Sequence, residues 1–286
     1  MPLSTTHDRR CGCAGRMRDI DRERRRSALH RQPVAIAPGE TPRAAIVRFE
    51  SADGILAVSG RGIGKAALTR LAVRVFSLDV DLSRFAAALD ADSALSRALL
   101  RGGGRMLRSA SLFEDAVKML FTTNCSWAAT RGMVERTIAL AGTDGAFPSA
   151  ARLAACSAHR LERDVRCGYR APALAAFARR VASGRLDLSR WEDRGRPAAE
   201  IREEITAEKG FGPYAAEGLL RILGSHDFLA LDSWTRQKYR ELYPGPARRT
   251  DGSIARRYAR FAENRGLAMW LDLTRDWHED EKIVWP

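Results

Sequence analysis

Lysine is nearly missing from this 286-residue chain: of 48 basic residues only Lys65, Lys118, Lys209, Lys238 and Lys282 are lysines, a bias that assigns no function by itself. Cysteine is also scarce. Cys11, Cys13, Cys125, Cys156 and Cys167 are too few and too scattered for a disulfide framework, which fits a reducing intracellular setting. Cys11-Gly12-Cys13 lacks the spacing of zinc ligands, and no cysteine follows Cys167. No run approaches the roughly twenty consecutive apolar residues that span a bilayer, and the first thirty residues have no apolar signal core. A soluble, cytoplasmic protein is expected, without a metal site.

What is present is enough for a large core, with 45% apolar residues. The formal charge is +13. Residues 1–32 hold nine arginines against four acids, and the remainder still has 39 basic against 31 acidic residues. A basic folded body favours a polyanionic partner over a neutral metabolite.

Residues 1–40, rich in Arg, Gly and Pro without apolar periodicity, read as a disordered basic leader. A small α+β subdomain is expected over 41–100. Alternation in Ile46-Val47-Arg48-Phe49, Ile55-Leu56-Ala57-Val58 and Leu71-Ala72-Val73-Arg74-Val75 suggests short strands with a helical turn between them. Gly60-Arg61-Gly62-Ile63-Gly64-Lys65 is not a phosphate loop, because Ser59 stands where glycine is needed and Ala66 replaces the metal-binding hydroxyl. An all-α domain is expected over 101–286. In it Phe113, Ala116, Val117, Leu120 and Phe121 form the stripe of a core-facing helix. Ser126 is placed to cap the next helix and Pro172 to open another. The fold class is mostly α with a small N-terminal β-containing subdomain. Asp276, His278, Glu279 and Asp280 read as a solvated tail.

The central signal is Gly210-Phe211-Gly212-Pro213-Tyr214, with apolar helices before it (Ile201, Ile205) and after it (Leu219, Leu220, Leu223). Glycines tolerate positive φ and let a phosphate approach the backbone, while the second helix aims its free N–H groups at the anion. Twenty residues past Gly212, Leu229-Ala230-Leu231-Asp232-Ser233-Trp234 delivers one carboxylate to the start of a new helix. Alone, Asp232 would read as an ordinary N-cap.

Hairpin and downstream aspartate together resemble the helix-hairpin-helix DNA glycosylase superfamily, which includes the 8-oxoguanine and 3-methyladenine DNA glycosylases. Phe121-Thr122-Thr123-Asn124, Arg131-Gly132-Met133-Val134-Glu135-Arg136, Gly168-Tyr169-Arg170-Ala171 and Arg105-Met106-Leu107-Arg108 are similar to the 8-oxoguanine branch. The similarity covers roughly residues 105–276. It implies that the hairpin residues Gly210, Phe211, Gly212 and Tyr214 bind DNA, that Tyr169 wedges into the duplex, that Arg170 and Asn124 face the opposite strand, and that double-stranded DNA is the partner. Each has a bland alternative: Tyr169 as a core anchor, Arg170 as a solvated charge, Asn124 as a left-handed helix cap. Asp232 would stabilise positive charge on the sugar as the N-glycosidic bond breaks.

Two departures matter. Bifunctional relatives carry a lysine two positions after the second hairpin glycine; here that residue is Tyr214, and Lys209 precedes the first glycine. A monofunctional hydrolase is expected. In the C-terminal helix Met269 and Leu273 replace the glutamine and stacking phenylalanine of an 8-oxoguanine reader, so the pocket candidates are Trp234, Met269, Trp270 and Leu273. No iron-sulfur cluster is expected, and the resemblance leaves room only for a monovalent cation on hairpin carbonyls. The expectation is a monomeric DNA glycosylase of base excision repair that removes a damaged purine and needs no protein partner. The alternatives are a non-catalytic DNA binder on the same scaffold and, third, a helical interaction domain.

Overall fold

The computed structural model describes residues 30–35, 44–52, 55–91, 93–245 and 250–279. Strands β1 (His30–Ala35), β2 (Ala44–Ala52) and β3 (Ile55–Arg61) form one antiparallel sheet in that order, with His30 opposite Phe49 and Ile46 opposite Arg61. This corrects the expected leader at its end: β1 lies inside it, while Cys11, Cys13 and the rest of residues 1–29 lie outside the described residues.

A second correction concerns residues 71–75, read as a strand. They end helix α1 (Lys65–Val75), whose Leu71, Ala72 and Val75 are buried and pack on Val47 of β2. Leu68, Leu71, Ala72 and Val75 repeat at helical spacing, so one stretch satisfied both periods and the longer repeat prevailed.

Helices α2 (Ser83–Ala87) and α3 (Ala94–Leu100) lead to α4 (Leu112–Thr122), whose stripe Phe113, Ala116, Val117, Leu120 and Phe121 is buried as expected. In α5 (Trp127–Ala141) the Ser126 hydroxyl accepts the Ala129 N–H at 3.2 Å. The one-turn helices α6 (Ala150–Ala154) and α7 (Ala158–Arg160) precede a 3-10 turn, Gly168–Arg170, and α8 (Ala171–Ala182), which carries Pro172 in its first turn. After α9 (Ser189–Glu192) come the hairpin helices α10 (Ala198–Ala207) and α11 (Pro213–Leu223). The chain ends in α12 (Ser233–Leu242), α13 (Asp251–Tyr258), α14 (Arg265–Leu273) and α15 (Arg275–Glu279).

Two cores hold these helices. The first joins α4, α5, α8, α10 and α11 around a stacked Phe113–Phe177 pair with centroids 5.7 Å apart. The second joins α12, α13 and α14 to Phe85, Leu95 and Ala98 of α2 and α3, so these two helices pack on the C-terminal body and not on the sheet. Arg108 binds the cores to the N-terminal segment. It donates to the carbonyls of Ile222 and Leu223 at the end of α11, both at 3.0 Å, and to Asp79 at 3.2 Å. A guanidinium on terminal helix carbonyls satisfies groups with no partner inside the helix.

The solvated tail is corrected too: Trp277 is buried and Lys238 Nζ lies 3.1 Å from Asp276. Asp280 lies outside the described residues. Among the described residues no helix is long and apolar enough to cross a membrane.

Candidate functional site

The two cores meet where α11 ends and the chain crosses to α12. Gly224, at φ +91°, terminates α11, and the Ser225 N–H returns to the Leu220 carbonyl at 2.9 Å. The crossing segment then delivers Asp232 as the N-cap of α12. Asp232 Oδ1 accepts the Thr235 N–H at 2.7 Å and Thr235 Oγ1 accepts the Asp232 N–H at 2.8 Å, a reciprocal capping box. Capping and function are therefore not alternatives here: the cap uses Oδ1 and orients the carboxylate, which remains part-exposed.

A relay the sequence did not reveal sets the approach to Asp232. Arg202 on α10 pairs with Glu217 on α11 at 2.8 Å, and Glu217 Oε2 accepts the Ala230 N–H at 3.0 Å. Ala230 is fully buried at φ +48°, a conformation that L-residues adopt at a cost unless the surroundings enforce it. Both hairpin helices thus position the backbone two residues before the carboxylate.

Beside Asp232 stands Tyr214, on the first turn of α11. Its hydroxyl meets the side chains of Asp232 and Thr122, and burial followed by the Asp232 charge pushes its pKa above the usual phenol value. It therefore stays protonated, with a proton to offer the carboxylate. Arg221, two turns further along α11, faces Tyr214, Asp232 and Glu217 and lies over the Trp270 ring at 4.7 Å. Burial lowers its pKa, but a guanidinium remains charged. Tyr214, Glu217 and Arg221 share one face at i, i+3 and i+7, a signal in the sequence that went unused.

The hairpin itself splits into an anchor and an open face. A Cβ on Gly210, at φ +94°, would come 2.8 Å from Ala173 Cβ and 2.9 Å from Leu120 Cδ1. One on Gly212 would meet nothing within 4 Å, and no side chain caps α11 there. The N–H groups of its first turn face outward, ready for an anion. Phe211 is corrected as a DNA-facing residue: it is buried, with its ring 5.1 Å from that of Phe177. Lys209 lies along a surface groove with Ala173, Ala176 and Arg180, away from Tyr214 and Asp232.

The three wedge candidates converge. Tyr169 is 67% exposed, and its hydroxyl accepts from Asn124 Nδ2 at 3.3 Å. Asn124 is exposed at φ +47°. Arg170 differs from the expected base contact: it is buried, donates to the carbonyls of Thr123 and Cys167, and lies 4.5 Å from the Tyr169 ring centroid. In this conformation it holds the Asn124 turn and the Tyr169 turn together. Neither a core-anchored Tyr169 nor a solvated Arg170 is seen.

The pocket candidates separate. Met269 and Leu273 are fully buried in the second core, because they lie on the inner face of α14. Trp234 and Trp270 are only part-buried and cluster with Trp277 at centroid distances of 5.8–6.0 Å. Among the described residues no three His, Cys, Asp or Glu side chains gather as metal ligands.

His226, in the crossing segment, is buried. Burial, then the charges of Arg221, Arg194 and Arg108, pushes its pKa down to about 4. The unfolded imidazole protonates near 6.5. Its contribution to stability is thus complete above about pH 6.5 and lost as pH falls toward about 4, by a few kcal/mol on the order of 1.4 per pH unit. Denaturant unfolding at pH 7 and pH 5 should show that loss, and His226→Gln should flatten it.

This arrangement is the helix-hairpin-helix DNA glycosylase fold. No protein-family model matches the chain, and no curated protein matches it in sequence. Among solved structures it is similar to the Clostridium acetobutylicum 8-oxoguanine glycosylase/lyase in its apo form (21% identity, TM-score 0.65, 86% of this chain and 87% of that one). It is also similar to the 3-methyladenine DNA glycosylase of Archaeoglobus fulgidus (20%, TM-score 0.65, 88% of each chain). A third is the Schizosaccharomyces pombe 3-methyladenine DNA glycosylase in complex with abasic DNA (20%, TM-score 0.54, 67% of this chain and 96% of that one).

Proposed function

We propose that the protein is a monofunctional DNA N-glycosylase that extrudes a damaged purine from duplex DNA and hydrolyses its glycosidic bond. The observation that carries this reading is the placement of Asp232: a part-exposed carboxylate, locked by a capping box and by the Glu217 relay, beside the uncapped start of the hairpin helix. The fold is shared with proteins described as acting on 8-oxoguanine and 3-methyladenine, two of them in complex with DNA.

The hairpin amides would hold a backbone phosphate, Tyr169 and Asn124 would fill the gap left by the extruded base, and Asp232 would face the sugar. As the glycosidic bond breaks, its electrons leave with the base and the sugar becomes cationic. A fixed carboxylate stabilises that charge and orients the attacking water. Tyr214 donates to the carboxylate and offers no amine, so no Schiff base forms there. A monovalent cation on the hairpin carbonyls would add positive charge toward the phosphate.

Duplexes bearing single oxidised, alkylated or deaminated bases, treated with the protein and then with alkali, test the reading. Alkali-dependent cleavage of at least one is expected, with no borohydride-trapped covalent adduct. Salt-sensitive binding without cleavage of any duplex would reduce the protein to a DNA binder, and a trapped adduct would make it a lyase.

A further inference from the structure

Arg221 has no role in the mechanism above. Its Nη1 is buried with no hydrogen-bond partner among the described residues, although Tyr214, Asp232 and Glu217 surround it. A buried, charged donor without an acceptor opposes folding and calls for an explanation. Its place is not arbitrary. Arg221 stands two helical turns from Tyr214 on the same face of α11, about 10 Å along the axis, and lies over Trp270, which clusters with Trp234, two residues after Asp232.

We propose that Arg221 selects the base: its guanidinium, over the Trp270 ring, donates from Nη1 to a carbonyl or ring-nitrogen acceptor of an uncharged extruded base, and it repels bases that carry a positive charge. This rests on the glycosylase reading and names the substrate class, neutral keto-type lesions as opposed to cationic N-alkylpurines.

The charge balance around Arg221 supports the assignment. Glu217 is already engaged by Arg202 and by the Ala230 N–H. Asp232 is held by the α12 cap and belongs to the sugar. His226, buried and with its pKa driven down, is neutral near pH 7. Of these charged groups, Arg221 is the one that lies over the Trp270 ring, so a base placed beside that ring meets the guanidinium first. A guanidinium stacked on an indole keeps its N–H groups in its own plane, free to meet an acceptor edge-on. A cationic base in the same place would face a like charge in a site of low dielectric.

The test separates base selection from catalysis. Three duplexes, identical except for one residue, carry undamaged guanine, 8-oxoguanine or 7-methylguanine, the two lesions on 2′-fluoroarabino sugars that resist excision. Affinities are measured at mildly acidic pH, where 7-methylguanine is cationic. The native protein is expected to bind the 8-oxoguanine duplex about tenfold or more tighter than the 7-methylguanine duplex. Arg221→Met and Arg221→Gln should bring the two close to parity, whereas Arg221→Lys should still reject 7-methylguanine. A melting curve for each variant establishes that it is folded before affinities are compared. Equal binding of the two lesions by the native protein, or a preference for 7-methylguanine, overturns the proposal. So does a neutral variant that keeps the full ratio, or one that weakens binding to all three duplexes alike. Loss of the parent reading is seen elsewhere, as absence of any cleavage in the excision panel.

Discussion

Asp232→Asn is expected to lower base excision steeply while leaving fold and DNA affinity intact. Asparagine caps helices as well as aspartate does, so the capping box with Thr235 survives in outline and the approach through Ala230 is unchanged. What disappears is the negative charge that the proposed mechanism places beside the sugar. Removing one electrostatic or general-base contribution of this kind lowers turnover by about 10²- to 10⁴-fold. Single-turnover excision, filter-binding affinity and a melting curve separate the three quantities. Undiminished excision by the variant would remove Asp232 from the mechanism. Asp232→Ala is the useful contrast, because it loses the cap as well, about 1 kcal/mol of stability.

The second large effect is expected far from the carboxylate, at Gly266→Ala. Gly266 opens the inner face of α14, and its N–H donates to the His226 carbonyl at 2.8 Å. A Cβ there would fall on the Phe228 carbonyl oxygen and 2.8 Å from that of His226. Both are backbone atoms of the segment that carries Asp232, so no side chain can swing aside. Overpacking of this kind costs about 1–3 kcal/mol, which for a chain of this size is a fall in Tm of roughly 2–6 °C. Excision should fall further than stability alone explains, since relief of the clash moves residues 226–232 away from α14 and misplaces the carboxylate. A Gly266→Ala protein with native Tm and native excision would show that this contact is not tight. Gly212, where a Cβ meets nothing, should tolerate alanine for folding and is the natural control.

Much of the architecture was legible because helix periodicity and caps are local. The Phe113 stripe, the Ser126 cap and Pro172 at the start of α8 follow from spacings of three or four residues and from orphan N–H groups at helix starts. Residues 71–75 misled because five residues satisfy two periods, and only packing on Val47 chose between them. Phe211 misled for another reason. A hairpin motif says where its glycines turn, not which way the residue between them points, and the aromatic core of Phe177 and Trp191 drew that ring inward.

The site shows the same division. That a carboxylate follows the hairpin, that a tyrosine occupies position 214, and that Asn124 and Tyr169 sit in turns are properties of the chain as written. That Arg170 clamps two turns, that Met269 and Leu273 face the core while Trp234 and Trp270 reach its edge, and that Arg202 reaches Ala230 through Glu217 were decided only by folding. The reason is range: caps and stripes act within one or two helical turns, whereas the environment of a charge depends on which distant surfaces are pressed against it.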